Sequence, residues 1–519
     1  MNKNKSIGLT LDRLFTQTLM RNPDEYLLYK DRRITYKDFR NESALISNAI
    51  INSDLGGKTI GVLDWNTIEF SELLYGIPLG HSIIHPVNIR LPPDQMIRTI
   101  KSARDKALFF SKDFTPLVEK IISLGLIERE KVYALGEFQG DYNYFKDLLH
   151  GETNTKFPES LETDKASVLF TSGTTNEPKG IIYSQRDMVL AIWSILTMLS
   201  SYDGNSRISS KDIIFSLIPY YHIWSWGTLY FATMLGSRYV MDGRFDPEST
   251  LSLIEREKVT WMSMVPTMLY SLLSSPNSDK LNGMKILIGG AAIPIGLVNM
   301  ALKKNIELTS IYGFTDGLIA GIGTLKRKGS REKYDEFEIS TNSITPAPYT
   351  EFEFDSSKGG EIKFRAPWLP EGYFNNPEES SKAYSEDGWF MPGDAGYLDS
   401  EGNIRIADRI KDLIKSGAEF IPSAIVENAI SNIDSVEMAA VIGKEDLKWG
   451  ERPWCFVKLR NGMTFNEREL RNALSKMVQD GKIKEWWIPD KFLQIDEMPL
   501  TSTGKIDKKN LRERINSIR

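Results

Sequence analysis

The chain has 519 residues, of which 41% are hydrophobic and 26% are charged, a balance that excludes a disordered, collagenous or low-complexity protein. Its 64 Lys and Arg residues against 69 Asp and Glu residues give a net charge of −5, which argues against general binding to nucleic acid or to anionic membranes. Cys455 is the single cysteine and cannot form an internal disulfide, and with four histidines we expect no structural zinc site.

The predicted elements alternate between short buried strands and amphipathic helices. Short apolar runs predict buried strands at 60–63, 107–110, 167–170 and 285–288. Helical spacing of apolar residues predicts helices at 36–50, 187–199 and 248–258. This alternation favours an α/β sheet protein.

A charged segment, residues 406–416, is the candidate linker to a second compact unit. Beyond it the pattern predicts a helix at 422–432, strands at 437–441 and 454–459, a helix from Asn466 to 478 and a strand at 491–495. About a hundred residues suffice for a small α+β domain with its own core. We therefore expect a large N-terminal domain, 1–410, and a small C-terminal domain, 411–519.

The first six residues include the charged Lys3 and Lys5 but are not followed by the apolar core of a signal peptide. No apolar run approaches the roughly 18 residues of a membrane-spanning helix. We therefore expect a cytoplasmic protein with no transmembrane segment and no nucleic-acid partner.

A loop rich in hydroxyl groups follows the strand predicted at 167–170. Residues 170–180 read FTSGTTNEPKG, so hydroxyl and backbone donors and the charge of Lys179 can wrap phosphate oxygens. The spacing is not that of a Walker loop. Taken alone, the composition is equally that of an ordinary surface turn.

The loop closely resembles the signature of the adenylate-forming superfamily, which includes acyl-CoA synthetases, peptide-synthetase adenylation domains and luciferases. Four more segments resemble its motifs in the family's order: YGFTD at 312–316, GWFMPGD at 388–394, DRIKD at 408–412 and TSTGK at 501–505. Within the superfamily, residues 63–66, 85–91, 448–453 and 486–490 resemble medium- and long-chain fatty acyl-CoA synthetases. The resemblance spans almost the whole chain. It implies a large multi-layered N-terminal α/β domain and a small mobile C-terminal α+β domain.

The resemblance also implies a reaction in two halves. A carboxylate attacks the α-phosphate of ATP and releases pyrophosphate, and the thiolate of coenzyme A then displaces AMP from the acyl-adenylate. The implied partners are a carboxylic acid, ATP, coenzyme A and Mg²⁺, and a homodimer is the assembly that the resembled synthetases suggest. The implied catalytic residues are Lys505, His222 and Thr171.

The remaining implied roles are carried over from the family's motifs to the matching positions. The residues that the resemblance assigns to ATP and AMP binding are Thr171, Ser172, Gly173, Thr174, Thr175, Lys179, Gly290, Ala291, Ser310, Ile311, Tyr312, Gly313, Thr315, Asp394, Arg409, Lys411, Lys415 and Lys505. The residues that it assigns to the acyl pocket are His222, Trp224, Trp226, Gly227, Ala292 and Gly317. Thr171 and Asp316 would bind the metal, Gly417 and Ala418 would line the coenzyme A tunnel, and Lys411 would be the hinge.

Several of these residues have a second interpretation. Lys505 could be one of several solvated lysines, Asp316 a helix cap, and His222 a packed core residue. The chain departs from the family at Asn176 and Ala418, where glycine is usual, and at Asp316, where glutamate is usual. An adenylation module that loads a carrier protein, and a catalytically silent nucleotide binder, therefore stay open as alternatives.

Overall fold

The computed structural model describes residues 7–517 apart from 137–141, 172–177, 202–205, 292, 325–342, 357–359, 400–401, 418 and 501–505. Within these residues the chain forms three β-sheets flanked by helices. The strands are β1 Tyr26–Tyr29, β2 Arg32–Thr35, β3 Thr59–Leu63, β4 Ile83–Pro86, β5 Ala107–Phe110, β6 Val132–Ala134, β7 Asn143–Tyr144, β8 Lys165–Phe170, β9 Gly180–Ser184, β10 Ile214–Ser216, β11 Tyr239–Met241, β12 Trp261–Met264, β13 Lys285–Gly289, β14 Glu307–Phe314, β15 Leu318–Thr324, β16 Ser343–Pro346, β17 Glu351–Asp355, β18 Glu361–Arg365, β19 Asp394–Leu398, β20 Ile404–Arg409, β21 Ile414–Ser416, β22 Glu419–Ile421, β23 Val436–Asp446, β24 Gly450–Leu459 and β25 Lys491–Gln494.

The helices lie on both sides of these sheets. They are α1 Thr16–Arg21, α2 Tyr36–Asn52, α3 Ile68–Leu79, α4 Pro93–Ala103, α5 Thr115–Ser123, α6 Phe145–Leu148, α7 Gln185–Ser201, the four-residue turn α8 Ile223–Trp226, α9 Thr228–Leu235, α10 Pro247–Glu257, α11 Pro266–Leu273, α12 Ile295–Lys303, α13 Pro377–Ala383, α14 Ser423–Ser431, α15 Glu467–Gln479 and α16 Lys508–Ser517. Short 3-10 helices cover Leu11–Phe15, Lys112–Phe114, Arg129–Lys131, Ser278–Leu281, Ile410–Asp412 and Glu485–Trp487. Within the described ranges, none of the helices has both the length and the apolar character needed to cross a bilayer.

Two large sheets build the N-terminal domain. The thirteen-stranded sheet has the order β17-β18-β19-β20-β16-β15-β14-β13-β12-β10-β11-β1-β2, and the seven-stranded sheet has the order β7-β6-β5-β3-β4-β8-β9. In the larger sheet the pairs from β14 to β1 are parallel, and those from β17 to β14 are antiparallel. The pairing mode therefore changes at strand β14.

The main hydrophobic core lies between the two large sheets. One buried cluster contains Ile60 and Leu169 from the seven-stranded sheet together with Ile214 and Leu287 from the thirteen-stranded sheet. Strand β3, TIGVL, is buried along its whole length, as continuous apolar parallel strands are when layers cover both faces. The sequence prediction of a multi-layered α/β domain is confirmed.

Side-chain caps fix where several helices begin. Thr35 accepts a hydrogen bond from the Asp38 N–H at the start of α2, and Asn466 accepts one from the Glu469 N–H at the start of α15. The strands predicted in the N-terminal domain are confirmed as parts of β3, β5, β8 and β13, and the helices as parts of α2, α7 and α10.

The C-terminal domain is a five-stranded sheet, β21 to β25, with a separate hydrophobic cluster on each face. Helices α14 and α15 contribute to one cluster and α16 to the other. The strand predicted at 437–441 is wrong at its end, because β23 runs on to Asp446 in a hairpin with β24. The apolar pattern ends at Ile442 because the tip of the hairpin extends beyond the core into polar surroundings.

The candidate linker at 406–416 is taken up by strands at both of its ends. Strand β20 pairs in the thirteen-stranded sheet as far as Arg409, and β21 begins the small sheet at Ile414. The two ends of this charged segment form strands of different sheets, so the chain passes from one domain to the other within a few residues. The boundary at 410/411 stays a prediction.

Candidate functional site

The candidate site is built around strand β14, where parallel pairing gives way to antiparallel pairing. Ser310, Ile311, Tyr312 and Gly313 lie on this strand, and a turn containing Thr315 and Asp316 leads into β15. Ligands of open α/β sheets commonly bind at the carboxyl ends of the strands, and the turn after β14 lies at such an end. The arrangement puts six predicted residues in one strand and its following turn.

Asp394 joins two other predicted residues of the nucleotide site. The Tyr312 hydroxyl donates to its Oδ2 at 2.6 Å, and the Arg409 Nε lies 2.8 Å from its Oδ1. Arg409 also donates to the Pro392 carbonyl at 2.9 Å. Burial, then the charge of Asp394, raises the pKa of the Tyr312 phenol, which stays a neutral donor at physiological pH. We refer to Tyr312, Asp394 and Arg409 as the carboxylate cluster.

Asp316 presents one carboxylate oxygen that has no partner in the described part of the chain. Its Oδ1 is buried without a hydrogen bond, while the Tyr373 hydroxyl bonds its carboxylate. Burial raises the pKa of Asp316, and the hydrogen bond from Tyr373 acts against this shift. The turn between β14 and β15 is held by the Tyr183 hydroxyl, which donates a hydrogen bond to the Thr315 carbonyl.

An unpartnered buried carboxylate oxygen fits a hard divalent cation. Mg²⁺ is usually held by one or two protein carboxylates together with substrate phosphates and water. In the described ranges, no group of three or more His, Cys, Asp or Glu side chains could hold a metal by itself. Asp316 therefore suits Mg²⁺ that arrives with a nucleotide, and Thr171 as a second ligand stays a prediction.

Lys179 lies beside this carboxylate and is held by an acidic helix. Its Nζ forms an ion pair with Glu379 on α13 and sits 5.2 Å from the centre of the Tyr373 ring. The ion pairs with Lys179 and then Lys382 lower the pKa of Glu379 to about 2. Tyr373 thus contacts both Lys179 and Asp316, which places the predicted phosphate lysine and the predicted metal ligand at one point.

A narrow apolar cavity of about 60 Å³ lies on the other side of β14. Its described walls come from α7, the α8 turn, the end of β13 and strands β14 and β15, and carry no charged side chain. The lining residues are Ala191, Ile192, Ile195, Ile223, Trp226, Gly290, Ile311, Gly313, Leu318 and Ile319.

Strand β14 separates the cavity from the carboxylate cluster. Successive residues of a strand point to opposite faces. Ile311 and Gly313 line the cavity, whereas Tyr312 between them bonds Asp394. One strand therefore presents an apolar pocket on one face and a charged, hydrogen-bonding site on the other.

The α8 turn is left-handed. The φ angles of Ile223, Trp224, Ser225, Trp226 and Gly227 are 48°, 50°, 61°, 54° and 76°. For residues other than glycine, this conformation costs roughly 1–2 kcal/mol each, so four of them cost roughly 4–8 kcal/mol. Contacts elsewhere must offset that cost, and such strain is concentrated at functional sites.

Four residues predicted for the acyl pocket lie elsewhere. Trp224 does not line this cavity, because its side chain is 1% exposed in the core and its Nε1 donates to Ser167 at 2.9 Å. Gly227 ends the left-handed turn, and the Gly317 carbonyl accepts from Trp368. His222 is partly exposed beside the Tyr221 ring, 4.5 Å away, and is not among the described wall residues.

Three residues predicted for nucleotide binding instead line the cavity: Gly290, Ile311 and Gly313. Ser310 is buried, and its hydroxyl donates to the Gly323 carbonyl within the sheet at 3.1 Å, so it is occupied structurally. Ala291 is exposed beyond β13. Trp226, which the sequence assigns to the acyl pocket, lines the cavity, and its role there stays a prediction.

The hinge and tunnel candidates lie at the start of the C-terminal domain. The Lys411 carbonyl accepts from Arg512 on α16 at 3.1 Å, and the Lys415 N–H donates to Glu451 at 2.8 Å. Gly417 has a φ of +65°, and a Cβ added there would lie 3.4 Å from the Trp449 ring. Their roles in rotation and thioester formation stay predictions.

Several predicted residues lie outside the described ranges: Ser172, Gly173, Thr174, Thr175, Asn176, Ala292, Ala418 and Lys505. Thr171, at the end of β8, donates its backbone N–H to the Lys179 carbonyl at 3.1 Å. This bond closes the loop predicted to wrap phosphate.

Sequence reasoning missed five residues that contribute to the site. Glu379 was detectable as an acidic residue in the first turn of a helix capped by Asn376. Ala191, Ile192 and Ile195 show the spacing of one helix face, but that spacing does not tell a cavity wall from a core contact. Tyr373 carried no signal, because only the fold brings it to Asp316.

Comparison with known proteins identifies relatives over nearly the whole chain. The family model described as "AMP-binding enzyme" matches residues 15–374, and that of the "AMP-binding enzyme C-terminal domain" matches residues 425–505. A long-chain-fatty-acid–CoA ligase of Thermus thermophilus is 28% identical over 501 residues, which cover 93% of this chain and 90% of that protein. A 3-methylmercaptopropionyl-CoA ligase of Ruegeria pomeroyi is 30% identical over 489 residues, which cover 88% and 87%.

Solved structures share the fold. The anthranilate CoA ligase AuaEII in complex with anthranoyl-AMP superimposes with a TM-score of 0.85 at 22% identity, over 100% of this chain and 99% of that one. ATP-bound MatB from Rhodopseudomonas palustris gives a TM-score of 0.82 at 22% identity, over 99% and 100%. The acids named for these relatives differ widely in chemistry.

Proposed function

The chain belongs to the family of AMP-binding enzymes, and from this premise we propose that it is a fatty-acid–CoA ligase that acts on fatty acids of medium chain length. The coarser class, an AMP-forming acid–CoA ligase, rests on the family and on the relatives found. The finer assignment rests on the cavity behind β14. The enzyme joins an aliphatic acid to AMP at the expense of ATP, and then passes the acyl group to coenzyme A.

The observation that carries this proposal is the two-faced strand β14. An acyl-adenylate consists of an apolar chain joined to a nucleotide through a mixed anhydride. Ile311 and Gly313 offer an apolar wall on one face, and Tyr312 connects to Asp394 and Arg409 on the other. The two halves of the intermediate can therefore lie on either side of one strand.

The residues of the charged face address the main barrier to the first step. An incoming carboxylate and a triphosphate repel each other by several kcal/mol at short range in a partly dry site. Lys179 and the predicted Lys505 supply positive charge, and the Asp394 carboxylate can accept hydrogen bonds from ribose hydroxyls. Mg²⁺ held by Asp316 would neutralise phosphate charge when bound.

The cavity favours a plain aliphatic acid. No charged side chain is found among its described walls, so a second carboxylate or an ammonium group would be buried there unpaired. At about 60 Å³ the cavity holds only about two groups of the size of water, taking the roughly 30 Å³ that a water occupies in the liquid. Longer chains require Trp226 to move, which favours the shorter end of the medium- to long-chain range.

A turnover screen tests the proposal. Straight-chain acids of two to about sixteen carbons, with benzoate and malonate as controls, are incubated with ATP, Mg²⁺ and coenzyme A, and AMP and thioester are quantified. We expect AMP and acyl-CoA in equal amounts, with medium-chain acids preferred over both controls. Preference for benzoate or malonate would overturn the fatty-acid assignment, and acid-dependent ATP–pyrophosphate exchange with no acyl-CoA formed would favour a carrier protein as acceptor.

Two further expectations from the sequence stay predictions. A cytoplasmic location suits an enzyme that draws on ATP and coenzyme A. A homodimer is testable by light scattering of the purified protein.

A further inference from the structure

The left-handed turn, residues 223–227, divides its side chains between the cavity and the core. Ile223 and Trp226, three residues apart, line the cavity. Trp224 and Ser225, between them, are 1% and 0% exposed. The two residues that face the cavity are thus held in place by the two that do not.

Ser225 fastens the turn to the thirteen-stranded sheet. Its Oγ donates to the Ile218 carbonyl at 2.7 Å and lies 2.5 Å from the Ser216 Oγ. The Thr228 hydroxyl donates back to Ser225 at 3.0 Å. Every one of these groups is buried, so the bonds cannot be exchanged for water without opening the core.

A second layer of hydroxyl groups supports the first. The Ser216 Oγ lies 2.6 Å from the Ser263 Oγ on β12, and the Thr228 Oγ1 lies 2.9 Å from the Tyr239 hydroxyl on β11. Ser263 therefore belongs to the same buried network, but within the described residues it bonds Ser216 and no residue of the turn. It offers a matched control for the loss of a buried hydroxyl.

Trp224 fastens the turn to the other large sheet. Its Nε1 donates to the Ser167 Oγ on β8 at 2.9 Å, and its ring meets the Tyr183 ring edge-on at 5.6 Å. Ser167 in turn donates to the Ile84 carbonyl at 3.2 Å. The turn is therefore bound to both sheets of the domain.

We propose that Ser225 and Trp224 are positioning residues that set acid selectivity by holding the turn left-handed. Ile223 is β-branched, and such a residue strongly disfavours positive φ. Without its two anchors the turn would relax towards φ below zero, which would redirect Ile223 and Trp226 and reshape the cavity. The inference rests on the proposed function, because it assigns the cavity to the acid.

The proposal is tested with Ser225→Ala, Ser225→Gly and the control Ser263→Ala. The readout is the ratio of kcat/KM for a long and a short aliphatic acid, with the KM for ATP and the Tm of each variant. We expect Ser225→Ala to change that ratio at least tenfold while the KM for ATP stays within twofold. Ser225→Gly should change it less, because glycine tolerates positive φ without an anchor. Ser263→Ala should leave it within twofold at a similar loss of Tm.

Trp224→Phe replaces the indole with a smaller phenyl ring, which keeps an aromatic group but removes the Nε1–H donor, and it serves if Ser225→Ala fails to fold. The same direction of change is expected. Folded Ser225→Ala or Trp224→Phe with an unchanged ratio, or Ser263→Ala with an equal change, would overturn the positioning role. A wild type that turns over no acid gives a different result, since it would refute the proposed function itself.

Discussion

At the scale of single residues, the carboxylate cluster shows how one buried acid organises its neighbours. Asp394 is 4% exposed and receives the Tyr312 hydroxyl and the Arg409 guanidinium. A buried charge is tolerated only where it is paired and hydrogen-bonded. The same two bonds fix the Tyr312 ring and the Arg409 fork before any nucleotide arrives.

Tyr312→Phe tests this preorganisation. The variant keeps the ring for stacking but removes a hydrogen bond to a carboxylate, worth roughly 1.5–3 kcal/mol, of which we expect only a part to bear on ATP binding. We expect ATP binding, measured by calorimetry, to weaken about fivefold to tenfold. Tyr397→Phe, at an exposed tyrosine on β19, is the matched control and should bind ATP as the wild type does. Unchanged ATP affinity in Tyr312→Phe would remove the hydroxyl from the account.

The buried carboxyl group of Asp64 predicts how the stability of the fold depends on pH. Burial raises the pKa of this carboxyl to about 7, and a hydrogen bond from Thr67 only partly opposes the shift. Because the folded pKa exceeds the unfolded value, the stabilising contribution is complete below about pH 4 and is lost as the pH rises through 7. We expect the Tm of Asp64→Asn, relative to that of the wild type, to increase between pH 5 and pH 8. A constant difference in Tm across this range would contradict the prediction.

At the scale of elements, helix α7 forms one wall of the cavity with a single face. Ala191, Ile192 and Ile195 line the cavity, whereas Trp193 on the same helix is 53% exposed. The sequence predicted the helix from its apolar spacing, and the strand before the phosphate loop from its short apolar run. It could not predict the wall, because periodicity tells which face is buried but not whether that face meets a side chain or a space.

Ala191→Leu tests the wall. Three added carbon atoms would fill much of a cavity of about 60 Å³, so longer acids should lose more activity than short ones. We expect the ratio of kcat/KM for octanoate to that for propionate to fall at least tenfold. Trp193→Leu changes the opposite face of the same helix and should leave the ratio unchanged. An equal loss for both acids in Ala191→Leu would point to misfolding rather than to occlusion.

The limits of sequence reasoning are clearest at Trp224 and Tyr373. Trp224 lies in an aromatic segment next to His222, and only the left-handed turn sends its indole to Ser167 and away from the cavity. Tyr373 meets Asp316 across nearly sixty positions of the chain, a contact that no local pattern encodes. The motifs predicted the family because they are local, whereas the site's supporting contacts depend on tertiary packing.

At the scale of the whole molecule, two domains with separate cores meet at a short junction. Arg409 ends β20 with its side chain on Asp394 of the large domain, and Arg512 of the small domain forms an ion pair with Asp412. A rotation of the small domain would therefore turn about the few residues between these two pairs. That motion stays a prediction, as does the passage of coenzyme A beside Gly417.

Gly417→Leu tests the second half-reaction. A leucine there would place its Cβ against Trp449 and its further carbons in the predicted tunnel, so we expect acid-dependent ATP–pyrophosphate exchange to stay within threefold while thioester formation falls at least tenfold. Gly462→Leu is the control, because this glycine also has positive φ, at +81°, but a Cβ there would meet no atom within 4 Å. If both half-reactions fell equally in Gly417→Leu, the tunnel assignment would be wrong.

The central claim is that this chain joins a carboxylate to AMP at strand β14. It is tested most directly by measuring ATP–pyrophosphate exchange with an aliphatic acid and without coenzyme A, in the wild type and in Lys505→Ala. We expect exchange that requires the acid in the wild type, and we expect the exchange rate to fall at least a hundredfold in the variant. No acid-dependent exchange in the wild type, or undiminished exchange in Lys505→Ala, would contradict it.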